Sequence, residues 1–142
     1  MFTKQNLLAT LGGTITMFIV GYALWGTALV EFFEGHTITD VMREMPDFGI
    51  LIVSHAIASF ALSTIYGKWA GGDYGAGSGF SFGIWVGIFA GISYSLLWYA
   101  TSTLMDLTGH LADGVVTLVF FAIVCTVIGW IYKATGPKAA AS

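Results

Sequence analysis

The sequence predicts an all-helical membrane protein in which four transmembrane helices form one bundle. Hydrophobic residues make up 56% of its 142 residues, charged residues make up only 9%, and the mean hydropathy is +0.82. Soluble domains carry about 25% charged residues, so this chain has too few polar side chains to cover a surface exposed to water. The whole chain, 1–142, is therefore interpreted as a single transmembrane domain.

Four apolar stretches are long enough to cross a bilayer as helices, which takes about 20 residues each. They cover residues 6–30, 48–66, 79–99 and 115–132, and a short tail, 133–142, follows the last one. The alternating polarity of a membrane β-barrel strand is absent. The first stretch is longer than the apolar core of a signal peptide and lacks a small-residue cleavage signal, so we expect it to be retained as a span.

The connection between the first two stretches, residues 35–47, is long enough for a short amphipathic helix. Thr39 or Asp40 is suited to cap its start, and Pro46 would end it. Its apolar side would face the bundle or the lipid headgroups and would hold Val41, Met42 and Met45.

The distribution of basic residues predicts the orientation of the chain. Lys4, Lys68, Lys133 and Lys138 fall on one side of the membrane, whereas Arg43 alone falls on the other. Seven of the eight acidic residues lie on the side of Arg43. Cytoplasmic loops are enriched in Lys and Arg, so we expect a multi-pass inner-membrane protein with both termini in the cytoplasm.

A glycine zipper runs along the third apolar stretch. Residues four apart on a helix share one face, and a glycine in a helix costs about 1 kcal/mol relative to alanine, so such a row indicates close approach by another helix. Two interpretations remain open: packing within the bundle, or an interface with a second copy or another subunit. The row, extended by one serine, consists of Gly75, Gly79, Gly83, Gly87, Gly91 and Ser95.

A polar stripe at the same spacing runs along the second stretch: His55, Ser59 and Ser63, ending near Tyr66. An ionisable side chain inside a membrane is costly and is by default a functional candidate, so the stripe is a candidate path for protons or ions. The structural alternative is that the histidine is neutral and that the hydroxyl groups hydrogen-bond to neighbouring helices.

All three histidines and seven of the eight acidic residues lie in the half of the molecule that the sequence assigns to the non-cytoplasmic side. Imidazole and carboxylate groups suit zinc, iron or manganese, so a divalent metal site built from both outer loops is one hypothesis. In the alternative, these are ordinary surface groups, with Asp113 capping the fourth helix. The candidate metal ligands are Glu31, Glu34, His36, Asp106, His110 and Asp113.

Several function classes are excluded by what the sequence lacks. The single cysteine, Cys125, permits no intramolecular disulfide and no CxxC motif. Five basic residues do not make a nucleic-acid-binding patch. No phosphate-binding loop, GxSxG elbow or HExxH motif occurs, so we expect no enzymatic activity and no organic cofactor.

The segment Gly21-Tyr22-Ala23-Leu24-Trp25-Gly26 in the first stretch, together with the glycine-rich third stretch, resembles small four-span bacterial membrane proteins of families whose function is not established. This resemblance implies the overall plan and no particular activity. The chain does not resemble the small multidrug pumps, because the first acidic residue, Glu31, lies at the end of the first stretch. It also lacks the arginine-bearing glycine motif of the small fluoride channels.

The sequence favours a non-enzymatic protein that packs or oligomerises in a membrane assembly through the face of Gly83, Gly87 and Gly91. The expected partners are the lipid bilayer and either further copies of the chain or other membrane subunits. The alternative is a small transporter or channel for protons or a divalent cation that uses His55 and the outer acidic residues. An enzyme acting on lipid has no motif to support it.

Overall fold

The structure, a computed structural model, describes residues 3–136 as helices joined by short loops. Four of the helices are long and apolar enough to cross a membrane, judged by length and composition. We name them the first span, Lys4–Ala28, the second span, Phe48–Trp69, the third span, Ala76–Thr101, and the fourth span, Leu107–Thr135. The predicted all-α fold with four spans is confirmed, and the chain is a multi-pass membrane protein.

Two spans change helix type along their length. The first consists of an α-helix, Lys4–Ala23, and a π-helical segment, Leu24–Ala28, and a separate short α-helix, Val30–His36, follows it. The third consists of α-helix Ala76–Gly87, π-helical segment Ile88–Ser93 and α-helix Tyr94–Thr101. The second and fourth spans are single α-helices. Single π-helical turns inside α-helices are rare and frequently lie at functional sites.

The fourth span begins at Leu107 and not at Val115, because Asp106 caps it. The Asp106 carboxylate accepts a hydrogen bond from the backbone N–H of Gly109 at 2.8 Å, which satisfies a free donor of the first turn. The interpretation of Asp113 as the cap is therefore wrong, and Asp113 lies inside the helix. At its other end the helix continues to Thr135, and residues 137–142 of the predicted tail lie outside the described residues.

The short helix expected within residues 35–47 is not present, because residues 38–47 form no helix. The chain after His36 runs instead beside the loop that precedes the fourth span. Ile38 N–H donates to Leu104 O at 2.9 Å, and Asp106 N–H donates to His36 O at 3.0 Å. These backbone groups are paired between loops, so they are not available for helical hydrogen bonds.

The fourth span occupies the centre of an open arc. The third span packs along one side of it, the first span packs along another, and the second span packs mainly on the first. The second and third spans approach each other near one end, where the rings of Tyr66 and Phe82 lie 5.7 Å apart. Elsewhere they have few contacts, so the bundle is not closed on this side.

The two ends of the bundle differ in charge. We call the end that holds Lys4, Lys68 and Lys133 the basic end, and the end that holds the loops 37–47 and 102–106 the acidic end. Both π-helical segments lie in the halves of their spans nearer the acidic end.

Candidate functional site

The glycine row of the third span lies against the backbone of the fourth span. A Cβ atom on Gly87 would stand 2.5 Å from Leu118 Cα, and one on Gly91 would stand 2.6 Å from Gly114 O. Such distances are too short for any side chain, so only glycine permits this approach. Gly79 and Gly83 make the same kind of contact with the fourth span, and Ser95, which is buried, continues the row beside Gly114.

The fourth span meets this row with small residues of its own, which were not predicted to form a packing face. They are Gly114, Ala122, Cys125 and Gly129. Their spacing of three, four or eight residues places them on one helix face, and this spacing is the signal that could have identified the partner helix. Because the fourth span covers the row from Gly79 to Ser95, the face of Gly83, Gly87 and Gly91 is not available to another subunit in this fold.

Asp113 joins three spans near the acidic end. Its carboxylate accepts a hydrogen bond from the indole N–H of Trp25 at 2.9 Å and one from the hydroxyl of Ser95 at 3.4 Å. Trp25 belongs to the π-helical segment of the first span, and Ser95 follows that of the third span. Hydrogen bonds from two other helices therefore offset the cost of placing this carboxylate inside the membrane.

His36, the last residue of the short helix Val30–His36, pairs with Asp106, which ends the loop 102–106. His36 Nδ1 lies 2.8 Å from Asp106 Oδ2, and the Asp106 side chain is 46% exposed. The hydrogen bond from His36, followed by the one from the Gly109 backbone, holds the pKa of Asp106 below its ordinary value of 3.8. Hydrogen bonds to a carboxylate favour its charged form, which explains the direction of this shift.

The six candidate metal ligands do not form one cluster. Within residues 3–136, no group of three or more His, Cys, Asp or Glu side chains is placed to hold a metal ion. His36 pairs with Asp106, Asp113 is bound by Trp25 and Ser95, and Glu31 and Glu34 are exposed on the short helix Val30–His36.

His110 is the sixth of these residues, and it is almost completely buried, with 2% of its surface exposed. Its ring packs edge-on against Tyr99 at 6.0 Å between centroids, and its Nε2 atom has no hydrogen-bond partner in the described part of the protein. Buried polar atoms without partners are uncommon, which makes this imidazole unusual in the bundle.

The polar stripe of the second span is bonded mainly to the first span. Ser59 donates to Thr10 O at 2.8 Å, and Ser63 donates to Asn6 O at 3.2 Å. His55 differs, because its ring packs against Phe18 at 6.3 Å and its Nδ1 atom has no partner among the described residues. These contacts match the structural interpretation of the two serines, while a proton path through His55 stays a prediction.

Tyr66, the last residue of the stripe, bonds to the segment that begins the third span. Its hydroxyl group lies 2.8 Å from Ser78 Oγ and accepts from the Gly75 N–H at 3.1 Å. Its ring packs on that of Tyr132 at 5.4 Å, so Tyr66 connects the second, third and fourth spans at the basic end.

Asn6 organises the polar contacts of the basic end, and the sequence analysis did not select it. Its side-chain N–H donates to Thr64 at 2.9 Å, and its side-chain oxygen Oδ1 accepts from Thr10 and from Ser63 at 3.2 Å each. The signal was present, since Asn6 is an amide at the start of an apolar helix, where it needs partners on neighbouring helices.

An apolar groove lies between the second and third spans, on the open side of the arc. Its volume is about 480 Å³. Its small lining residues are Ala58, Ala61 and Ala90. Two large lining residues, Trp85 and Phe89, lie on the third span and are both 66% exposed. We call this feature the groove; its remaining lining residues are Leu62, Ile65, Val86 and Phe121.

Comparison with known proteins gives no relative. No protein-family model, no curated protein and no solved structure matches the chain. The resemblance to small four-span bacterial proteins therefore stays a prediction, and functional inference depends on the geometry described above.

Proposed function

We propose that the protein is a non-enzymatic membrane bundle that forms a homodimer through the groove and serves as a packing or accessory component of a membrane assembly. The observation that carries this proposal is the open arc: the second and third spans leave between them an apolar groove of about 480 Å³. The glycine row supports the same conclusion indirectly, because the fourth span covers it and leaves the groove as the unpartnered interface.

A second copy is the proposed occupant because the groove region is complementary to itself. Trp85 and Phe89 are four residues apart, so they form a bulky ridge on one face of the third span. Ala58 and Ala61 provide a shallow surface on the second span, directly across the groove. Two copies related by a twofold axis would each place the ridge in the partner's groove, and twofold dimers use such self-complementary patches.

The basic end supports a cytoplasmic orientation for both termini in this proposal. Lys4, Lys68 and Lys133 lie at that end, and Arg43 is the basic residue of the acidic end. The positive-inside rule assigns the basic end to the cytoplasm.

The transport alternative has weaker support. The two serines of the stripe donate to the backbone of the first span, and the acidic residues form no three-ligand site in the described chain. The observation in its favour is that one buried imidazole nitrogen on His55 and one on His110 have no hydrogen-bond partner among the described residues. Proton flux into proteoliposomes that is abolished by His55→Ala would favour transport over a purely structural role.

The test of the dimer is a substitution that fills the groove without touching the bundle interior. Ala61→Phe adds a ring to an exposed position that lines the groove. Overpacking of an interface costs about 1–3 kcal/mol, so we expect the dimerisation constant in lipid vesicles to weaken by about tenfold or more. Single-molecule photobleaching of labelled full-length protein, over a range of protein-to-lipid ratios, measures this constant.

The matched control is Ile19→Phe, which enlarges a side chain that is 61% exposed on the first span and does not line the groove. It should leave the constant unchanged. A wild-type protein that stays monomeric at all ratios would overturn the homodimer. An effect of Ala61→Phe on a complex with a different subunit, but not on self-association, would assign the groove to that subunit and also refute the homodimer.

A further inference from the structure

A second cavity, of about 170 Å³, opens at the basic end between the first, second and fourth spans. The start of the first span contributes Thr3, Gln5 and Asn6, and the last turns of the second span contribute Thr64 and Lys68. Tyr132, in the last turns of the fourth span, also lines it. Because these residues lie at the ends of the spans, the cavity is at the level of the lipid headgroups.

The charge of this cavity is positive. Among the described residues, Lys68 is the one charged side chain that lines it, and no carboxylate does. Within residues 3–136 the one salt bridge joins His36 and Asp106 at the opposite end, so Lys68 has no carboxylate partner in the described chain. An exposed ammonium group beside a cavity without acids attracts anions.

The cavity also offers hydrogen-bond donors that are not fully used. Each side-chain amide carries two N–H donors. Gln5 uses one to bond Tyr132 O at 3.0 Å, and Asn6 uses one to bond Thr64 at 2.9 Å. The second N–H of each amide has no acceptor among the described residues. Two amides and an ammonium group around one cavity form a donor set suited to an oxyanion.

We infer that this cavity binds the phosphate group of an anionic phospholipid, with Lys68 as its charged contact. Several donors at one level fit the oxygens of a phosphate, and the position of the cavity at the span ends is the depth at which lipid phosphates lie. A soluble phosphate would present the same oxygens, so the source must be separated by experiment. This inference does not depend on the dimer proposed above.

The experiment compares headgroups and variants on the full-length protein. The protein is reconstituted in nanodiscs of mixed phosphatidylglycerol and phosphatidylcholine, and native mass spectrometry counts the lipids that stay bound after release into detergent. We expect preferential retention of phosphatidylglycerol. Lys68→Gln should lower its apparent affinity about tenfold or more, as expected for the loss of one hydrogen bond to a charged group, and Lys68→Arg should retain it.

Lys133→Gln is the matched control, because Lys133 lies at the same end beside Gly75 but does not line the cavity. It should change the affinity much less than Lys68→Gln does. Equal losses in both variants, or equal retention of both lipids, would overturn the inference. Thermal stabilisation of the detergent-purified protein by inorganic phosphate, lost in Lys68→Gln and accompanied by no lipid preference, would support the phosphate site but assign it to a soluble phosphate.

Discussion

The third span packs in opposite ways against its two neighbours. Its contact with the fourth span, which we call the seam, is close, whereas the groove separates it from the second span. At the seam, Gly79, Gly83, Gly87 and Gly91 let the fourth span approach to backbone contact. At the groove, the same third span presents Trp85 and Phe89, and the second span stays apart. Glycines on the third span therefore permit backbone contact with the fourth span, whereas bulky rings on the third span line a gap to the second span.

The difference has a physical origin in the lipid environment. Helices in a bilayer gain little from burying apolar surface, since lipid tails are as apolar as leucine, and they associate through close packing and hydrogen bonds. The seam provides close packing along its whole length. The groove provides neither within one chain, because bulky rings on one wall face small residues on the other.

Loss of the seam should produce the largest effect on stability. Gly87→Ala places a Cβ atom 2.5 Å from Leu118 Cα, a backbone position that cannot rotate away. We expect the free energy of unfolding to fall by about 3 kcal/mol, at the upper end of overpacking costs. Unfolding by sodium dodecyl sulfate in mixed micelles, followed by far-UV circular dichroism, measures the change.

Gly77→Ala is the control for helix propensity at the same span. Gly77 has open space around it, so the added methyl group meets nothing within 4 Å. This variant should be neutral or more stable by up to about 1 kcal/mol, as alanine favours the helix. Equal losses in both variants would show that the third and fourth spans are not in backbone contact, and the contrast between seam and groove would disappear.

The fold was predictable from sequence because the bilayer imposes a length and a composition on each span. The four spans follow from apolar stretches alone, and the glycine row was identified as a packing face. The partner of that row was not, because the small residues Gly114, Ala122 and Gly129 are separated by large ones in the sequence and are noticed only once the row needs a partner. The residues of one helix face do not reveal which other helix packs on it.

The acidic end was less predictable, because its geometry depends on contacts between loops. The sequence suggested a cap at Asp113, close to the predicted start of the fourth span, and a short helix within residues 35–47. The earlier cap at Asp106 brought Asp113 into the membrane-spanning helix, and backbone pairing with Leu104 replaced the expected helix. The pairing of His36 with Asp106, which are 70 residues apart, has no local signal.

Trp25→Phe should have an intermediate effect on the free energy of unfolding. It tests whether the hydrogen bonds of Asp113 stabilise the bundle in addition to the packing at the seam. Phenylalanine keeps an aromatic ring beside Phe120, whose ring lies 5.5 Å from that of Trp25, but it removes the N–H donor to Asp113. We expect a loss of about 1–2 kcal/mol, between typical values for bonds to charged groups and those measured in membrane proteins. The same unfolding assay measures it.

Trp130→Phe is the matched variant for this comparison, because Trp130 belongs to the fourth span and is 60% exposed. It should change the free energy of unfolding by less than about 0.5 kcal/mol. If the two tryptophan variants behaved alike, the hydrogen bond from Trp25 to Asp113 would add nothing to the packing of the first span on the fourth, and the seam alone would distinguish the two neighbours of the third span.

The smallest effect should come from the His36–Asp106 pair, which fixes the loop leading to the second span. The pKa of Asp106 is lower in the folded protein than its ordinary value of 3.8, so the pair contributes its full stability above that value. The contribution is lost as the pH falls through the lowered pKa, because protonation removes the charge that accepts the hydrogen bonds. Asp106→Asn keeps a side chain that caps helices well but cannot titrate. The difference in melting temperature between wild type and this variant should therefore shrink as the pH falls below about 4. A difference that stayed constant over this range would mean that the pair does not hold the loop, and that the second span is positioned by its contacts with the other spans alone.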